Sequence, residues 1–405
     1  MRAHLATLLA SCLLLAACGS SNSSSSGTPK PTKTVDPNAT RTSTPLPRST
    51  RTATRTGGPT RTPTRTGGPT YTPRPTKTAG PPTTLFVRQS GNDTNSGLAP
   101  DQALKTIGAA IKLLTPGSTI YVGRGTYKER LQITRIAGTA ELPVQLSADR
   151  DGAHTGDPRG EVILDANGEL VALLLTQSPY VTVDGFFLRG AAPTTTPAAS
   201  AVVVRARSES DHFTIRNCVI ANAQPADGIR VDNSADALLF NNLVFAADRG
   251  IVVTGGSDRT QIINNTVTLS ARAALSLRAA ENISPKNVTV LNGIFQESGS
   301  GVGIDASGAG AGYAGDYNLV FQPEVEDQTT VYKPAEARGV HDVNADARFV
   351  NVGVGDVHLD AGSPAIDAGT GRIDAALEEA LLLRSTTPDN GRDRAPLDMG
   401  YHYPR

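Results

Sequence analysis

Tryptophan is missing from this 405-residue chain, only 4% of its residues are aromatic, and it has two methionines and three cysteines. Sugars stack on exposed aromatic rings, and with no Trp and nine each of Tyr and Phe no such platform is legible. Cys12 and Cys18 lie in the N-terminal segment, so Cys218 is the one thiol left in the folded part and no disulfide can form within it. Past that segment no apolar run is long enough to span a bilayer. His154, His212, His341, His358 and His402 are scattered without His-x3-His spacing, which argues against a zinc site. The formal net charge is zero, but it averages two opposites.

Residues 19–84 carry ten basic residues and one acidic one, whereas the chain from Leu85 onward has 27 basic and 37 acidic residues. An acidic domain argues against nucleic acid as a partner. It also suits polyanions poorly unless a cation such as Ca²⁺ intervenes. Ser, Thr, Pro, Gly and Arg dominate residues 19–84, and Arg55-Thr-Gly-Gly-Pro-Thr60 recurs as Arg65-Thr-Gly-Gly-Pro-Thr70. Such a stretch cannot bury a core and reads as an extended tether. Ahead of it, Arg2, an apolar run over residues 5–15 and Leu15-Ala16-Ala17-Cys18-Gly19 resemble a bacterial lipoprotein signal, residues 1–18, with Cys18 lipidated. Gly after the Cys resembles outer-membrane sorting. The expectation is an exported, membrane-anchored lipoprotein at the outer membrane or cell surface.

What the sequence has in abundance is a repeat. Phe213-Thr-Ile215-Arg-Asn217-Cys-Val219, Leu238-Leu-Phe240-Asn-Asn242-Leu-Val244, Gln261-Ile-Ile263-Asn-Asn265-Thr-Val267 and Val288-Thr-Val290-Leu-Asn292-Gly-Ile294 place Asn at intervals of 25, 23 and 27 residues. An earlier copy, Val181-Thr-Val183-Asp-Gly185-Phe-Phe187, is set off by an Ala/Pro/Thr-rich insertion at 191–199. Alternating β-branched residues signal strands, and a period of about 23 residues fits three strands and three turns, one coil of a parallel β-helix. Asn tolerates the left-handed backbone of a tight corner, and stacked coils set the amides above one another. Asn217, Asn242, Asn265 and Asn292 therefore read as a structural ladder. A second strand follows each Asn, as in Gly228-Ile-Arg-Val231 and Gly250-Ile-Val-Val253.

Leu104, Ile107, Ile111 and Leu114 recur at helical spacing behind Asp101, a candidate N-cap, and predict a helix closing the N-terminal end. Phe86-Val-Arg-Gln-Ser-Gly91-Asn-Asp-Thr-Asn-Ser-Gly97, Lys105-Thr-Ile107 and Gly125-Thr-Tyr127 resemble the start of secreted right-handed parallel β-helix proteins of the pectate-lyase-like superfamily. Asp316-Tyr-Asn-Leu319, Gly362-Ser-Pro-Ala-Ile-Asp-Ala-Gly369 and Asp398-Met-Gly-Tyr401 resemble the choice-of-anchor Q region that ends many of them. The expected fold is all-β, a right-handed single-stranded parallel β-helix with an N-terminal capping helix. It comprises residues 85–315 and a C-terminal region, 316–405, that completes and caps it.

The resemblance implies polysaccharide as the partner and leaves the activity open. Lyases of the superfamily use a base, often Lys or Arg, with Ca²⁺ to neutralise a uronate. Aligning Ala201, Gly228, Gly250, Ala274 and Gly303 puts Arg205, Asp232, Thr254 and Arg278 in one column and Val203, Arg230, Val252, Ser276 and Asp305 in another, with Asp227 beside Arg249. Arg230 is the candidate base, with Arg205, Asp227, Asp232 and Arg249 around it as candidate substrate contacts. Cross-strand ion pairs on a solvated face are the other reading of the same residues. Motifs of the family's other enzymes are missing, among them Asp-Pro-His-Asp, Gly-His-Gly and Arg-Ile-Lys. Asp389-Asn-Gly-Arg-Asp393 lacks the order of an EF-hand and reads as a turn. The sequence thus predicts a monomeric surface protein that binds or processes an extended polysaccharide, with lyase chemistry as the enzymatic option. A non-catalytic adhesin or envelope structural protein is the alternative.

Overall fold

The computed structural model describes residues 80–193, 201–221 and 226–405. The signal segment with Cys18, the tether up to residue 79 and most of the 191–199 insertion lie outside the described residues. The chain winds into a right-handed parallel β-helix of three stacked sheets. Sheet A has nine strands: Thr84–Val87, Thr119–Val122, Val144–Ala148, Val181–Asp184, Thr214–Arg216, Leu238–Phe240, Gln261–Ile263, Thr289–Leu291 and Ala314–Asp316. Sheet B runs through eight strands from Gly125–Lys128 to Leu319–Phe321, and sheet C through eight from Leu131–Thr134 to Tyr332–Lys333. From Thr119 onward each coil contributes a strand to A, then B, then C. Period-2 alternation decides the rest, sending Ile133, Leu173, Val204, Ile229, Val253 and Leu277 of sheet C into a common core.

Helix α1, Ile107–Ile111, closes the N-terminal end with Ile107, Ala110 and Ile111 buried. It is shorter than the spacing predicts, and Asp101 is not its cap. Asp101 sits in a separate 3-10 turn, Pro100–Gln102. Thr106 caps α1 through the N–H of Ala109, and the Glu129 carboxylate accepts from the N–H groups of Ile107 and Gly108 at 3.0 and 2.9 Å. These satisfy the orphan donors of the first turn.

The corner between sheets A and B carries two asparagine columns rather than one. Strand register aligns Arg216 with Phe240, Phe240 with Ile263 and Ile263 with Leu291, so Asn217, Asn241, Asn264 and Asn292 stack. All four have φ between 53° and 55°, and Gly185 takes the same place at 81°. Asn242 and Asn265, which the repeat alignment puts in this column, occupy the next one with Cys218 and Asn318. There Asn242 Oδ1 accepts from the N–H of Cys218 and Asn265 Oδ1 from that of Asn242, at 3.1 and 3.0 Å. A third ladder closes the corner between sheets C and A. The N–H of Ser178 donates to Ser210 Oγ, Ser210 to Ser234 and Ser234 to Ser257, each at 3.2 Å and each serine fully buried.

The C-terminal region supplies the last strands, after which most of it turns back along the flank of the coils instead of only capping their end. Val357, Tyr401 and Tyr403 cover Ile163, Phe187, Val219, Leu243 and Phe245 on the outward face of sheet B, and Leu359, Ala365 and Met399 cover Ile294 and Leu319. The last segment runs antiparallel to the growth of the solenoid, its residues answering the asparagine column in turn. Asn292 exchanges two hydrogen bonds with the backbone of Thr370, Asn264 Nδ2 donates to the Asp398 carbonyl, and Asn241 exchanges two with the backbone of His402. Helix α2, Ala375–Leu382, starts at Asp374, whose carboxylate accepts from the N–H of Ala376. It lays Leu381 over Phe240 and Ile263, which point outward from sheet A.

Candidate functional site

The five side chains singled out by sequence meet on the outward face of sheet C. Asp227 accepts from Arg249 Nε and Nη2 at 2.9 and 3.2 Å and from Arg230 Nη1 at 3.4 Å. Asp232 takes Arg230 Nε at 2.8 Å and Arg205 Nε at 2.6 Å. The result is a chain of alternating charge across three coils. Its columns differ from the sequence alignment: Arg205 pairs in register with Arg230, and Arg207 with Asp232. The insertion before Ala201 conceals the length of that coil, and the strand sits two residues from where Ala201 and Gly228 would place it.

Arg230 does not have the character of a base. Burial pulls its pKa down, but the charges and hydrogen bonds of Asp232 and Asp227 outweigh that and raise it above the ordinary arginine value. A guanidinium between two carboxylates holds its proton more tightly than a free one. Cys218 is equally unsuited to chemistry, because burial, with Asp184 nearby, pushes its thiol up to about 12. Among the described residues no three His, Cys, Asp or Glu side chains are grouped so as to hold a metal ion.

The histidines have structural partners. His154 stacks on Tyr121 with ring centroids 3.7 Å apart, His212 on Tyr180 at 4.5 Å, His341 on Tyr317 at 4.3 Å and His358 on Tyr403 at 3.7 Å. His402 is buried, with Nε2 2.7 Å from Asp393 and Nδ1 2.9 Å from the Gly400 carbonyl.

Sheet A offers a different surface. Where α2 lies, its outward column is covered, and Phe240 and Ile263 are each 2% exposed. Ahead of α2 the face is open. Tyr121, Gln145, Ser147, Thr182, Asp184, Thr214 and Arg216 on four successive strands point outward and are partly exposed. Phe86, Tyr121 and His154 form an aromatic stack at one end, with Phe86 and Tyr121 centroids 6.1 Å apart. At the other end Arg216 Nε lies 2.8 Å from Asp184 Oδ2, whose second oxygen accepts from Asn217 Nδ2 at 2.7 Å. The aromatic platform is therefore present, though built from one Phe, one Tyr and one His brought together by strand register and a loop. No linear motif announces it. The only sequence signal is the alternation of Phe86 and Tyr121 with buried neighbours in adjacent strands.

The sequence model of the right-handed beta helix region matches residues 200–267. No curated protein matches the chain. Solved structures similar to it include pectate lyase Pel9A, 14% identical over 78% of this chain and 96% of that one, with a TM-score of 0.47. An alginate lyase from Paenibacillus sp. str. FPU-7 is 16% identical over 59% of this chain and 77% of its own, with a TM-score of 0.45. A lacto-N-biosidase from Eubacterium ramulus is 13% identical over 59% of this chain, with a TM-score of 0.44, and the present chain spans 56% of its length. These likenesses carry no argument of their own, and the right-handed parallel β-helix rests on the strand topology and the matching family model.

Proposed function

We propose that this protein is an exported, lipid-anchored surface protein that binds an extended polysaccharide along the open half of sheet A. One observation carries the reading: four adjacent strands are left uncovered while the C-terminal region buries sheet B and α2 covers sheet A further along. Hydroxyl and amide side chains on that face recur with the strand spacing of about 4.8 Å, a linear array suited to a linear polymer, and the aromatic stack supplies a ring face at its end. Binding without cleavage is the form the geometry supports, since Arg230 keeps its proton and Arg205, Arg230 and Arg249 are neutralised by Asp227 and Asp232.

Affinity electrophoresis against a panel of neutral and acidic polysaccharides tests the binding. At least one polymer should retard the wild type, and Tyr121→Ala should weaken that retardation severalfold. A wild type retarded by none of them sinks the reading. Incubation with polyuronates, with and without Ca²⁺, is expected to release no unsaturated ends, and their appearance would restore the lyase option. Cys18→Ser should move the protein from the membrane fraction to the soluble one if the anchor reading holds.

A further inference from the structure

A second aromatic pair flanks the open strands of sheet A. Besides Tyr121 and His154, Tyr180 stacks on His212 with ring centroids 4.5 Å apart and planes 10° from parallel. Each lies two residues ahead of an aligned strand position, Thr182 and Thr214, in the corner through which the chain enters sheet A, and their φ angles are 54° and 55°. In the next two coils, where α2 covers the sheet, the same corner position holds Asp236 and Arg259, joined as an ion pair. Rings thus stand beside the open strands and give way to a charge pair beside the covered ones. Left-handed backbone suits Asn or Gly better than a bulky side chain, so the corner itself does not call for rings. In both pairs the tyrosine is partly exposed and the histidine exposed, which leaves ring surface facing solvent. The Tyr317–His341 stack follows the last strand of sheet A, beyond the strands that α2 covers, and the Tyr403–His358 stack belongs to the covering segment.

Strand register fixes how the two pairs are related. Tyr121 lies two residues past Thr119, Tyr180 two before Thr182, and Gln145 is aligned with both threonines on the strand between. With strands about 4.8 Å apart and a rise of about 3.3 Å per residue, the two tyrosines stand about 16 Å from each other on a diagonal that passes over Gln145. The column crossed by that diagonal, Thr119, Gln145, Thr182 and Thr214, is uncharged and partly exposed. In the neighbouring column Asp184 and Arg216 neutralise each other at 2.8 Å. The chain from Leu85 onward also carries an acidic excess, which repels a polyanion.

We propose that the open face takes a neutral, extended glycan that crosses the strands obliquely, one sugar against the Tyr121–His154 pair and another, a few units on, against the Tyr180–His212 pair. This rests on sheet A being the polysaccharide face. The Gln145 amide, both donor and acceptor, serves hydroxyls at the middle of the span. A chain lying straight along the stack of strands from Tyr121 would meet Ser147 and Asp184 instead and never reach Tyr180.

Isothermal titration of the full-length protein with cellohexaose, mannohexaose and xylohexaose, with the disaccharide of each and with hexagalacturonate tests this. One neutral hexamer should bind more tightly than hexagalacturonate, and at least about tenfold more tightly than its own disaccharide, which reaches only one pair. Tyr180→Ala and His212→Ala should each weaken that hexamer about fivefold or more, while Tyr180→Phe, which keeps the ring, should bind as the wild type does. His212 is exposed, so its substitution separates lost binding from lost folding. A neutral hexamer bound equally by the wild type and both alanine variants overturns the oblique path and leaves the polysaccharide reading standing. So does a disaccharide that binds as tightly as its hexamer, or hexagalacturonate that binds more tightly than every neutral one. If no hexamer binds the wild type, affinity electrophoresis against the polymers decides. Retardation by a neutral polymer that Tyr180→Ala and His212→Ala both weaken keeps the path; retardation by acidic polymers alone, or retardation the substitutions leave unchanged, overturns it; and no retardation at all sinks the polysaccharide reading with it.

Discussion

Asp227 holds two arginines, and Arg249 depends on it more than Arg230 does, because Arg230 also reaches Asp232 while Arg249 has no other carboxylate within bonding distance among the described residues. The Arg249 side chain is 9% exposed and that of Asp227 1%. Asp227→Ala therefore strands a buried cation and should cost about 3 kcal/mol or more in urea unfolding. Arg230→Ala leaves Asp227 with Arg249 and Asp232 with Arg205, and should cost about 1 kcal/mol or less. The two substitutions together distinguish an ion-pair network from an active centre, since a catalytic Arg230 would show its loss in turnover rather than in folding. Asp236 gives a pH signature. Hydrogen bonds from Arg259, at 2.6 Å to each oxygen, hold its carboxyl below the usual range against the opposing effect of burial. A depressed carboxylate lends stability above its unfolded value near 3.9 and loses it as pH falls through the folded one. Acid unfolding of Asp236→Asn should thus fall less steeply below about pH 4, by a small margin because Arg259 is mostly in solvent. At this scale the identity of the sheet C residues was legible in the sequence but their pairing was not. The repeat put Asn242 and Asn265 at the corner, and only strand register shows that Asn241 and Asn264, one residue earlier, take the left-handed backbone while Asn242 and Asn265 point inward. The serine ladder was equally present, at 178, 210, 234 and 257, but hydroxyls buried beside backbone amides carry no hydropathy signal.

The elements themselves were readable wherever alternation was strict. Sheet A follows it most closely, and aliphatic residues at spacing two, β-branched or leucine, define its inward face. Sheet B departs from it, since Phe187, Val219, Leu243 and Phe245 are apolar on the side that a solenoid normally turns to water. That second apolar face was a sign of a covering element, visible in the sequence as runs such as Leu243-Val-Phe245. Phe245 is 1% exposed between sheet B and the tyrosines of the C-terminal region. Phe245→Ala should lower stability by about 3 kcal/mol, as for a core phenylalanine, despite its outward direction. A loss under about 1 kcal/mol in the same urea titration would mean that the covering segment does not pack there. Helix α1 was placed correctly but over-extended, because the Leu and Ile spacing continues past the point where the backbone returns to the first strands of the coil.

On the scale of the whole molecule, a solenoid is a nearest-neighbour object in which each coil answers only to the two beside it. The C-terminal segment breaks that rule by bonding to coils far apart in sequence. Gly400 shows how closely it must approach. Its φ is +86°, its N–H donates to the Asn292 carbonyl at 2.7 Å, and a Cβ there would fall 2.6 Å from Thr266 Oγ1. Gly400→Val should lift the segment and split one calorimetric transition into two, the flank melting before the coils. A single unshifted transition would show that the flank contributes nothing to cooperativity. The covering of sheet B has a further consequence, which concerns the order of events during synthesis. Coils that emerge first can pair with their neighbours at once, but the residues that cover Phe187, Leu243 and Phe245 are made more than a hundred positions later. Until then the nascent chain presents a sticky stripe, so the interval before the last residues arrive is when it needs a chaperone most.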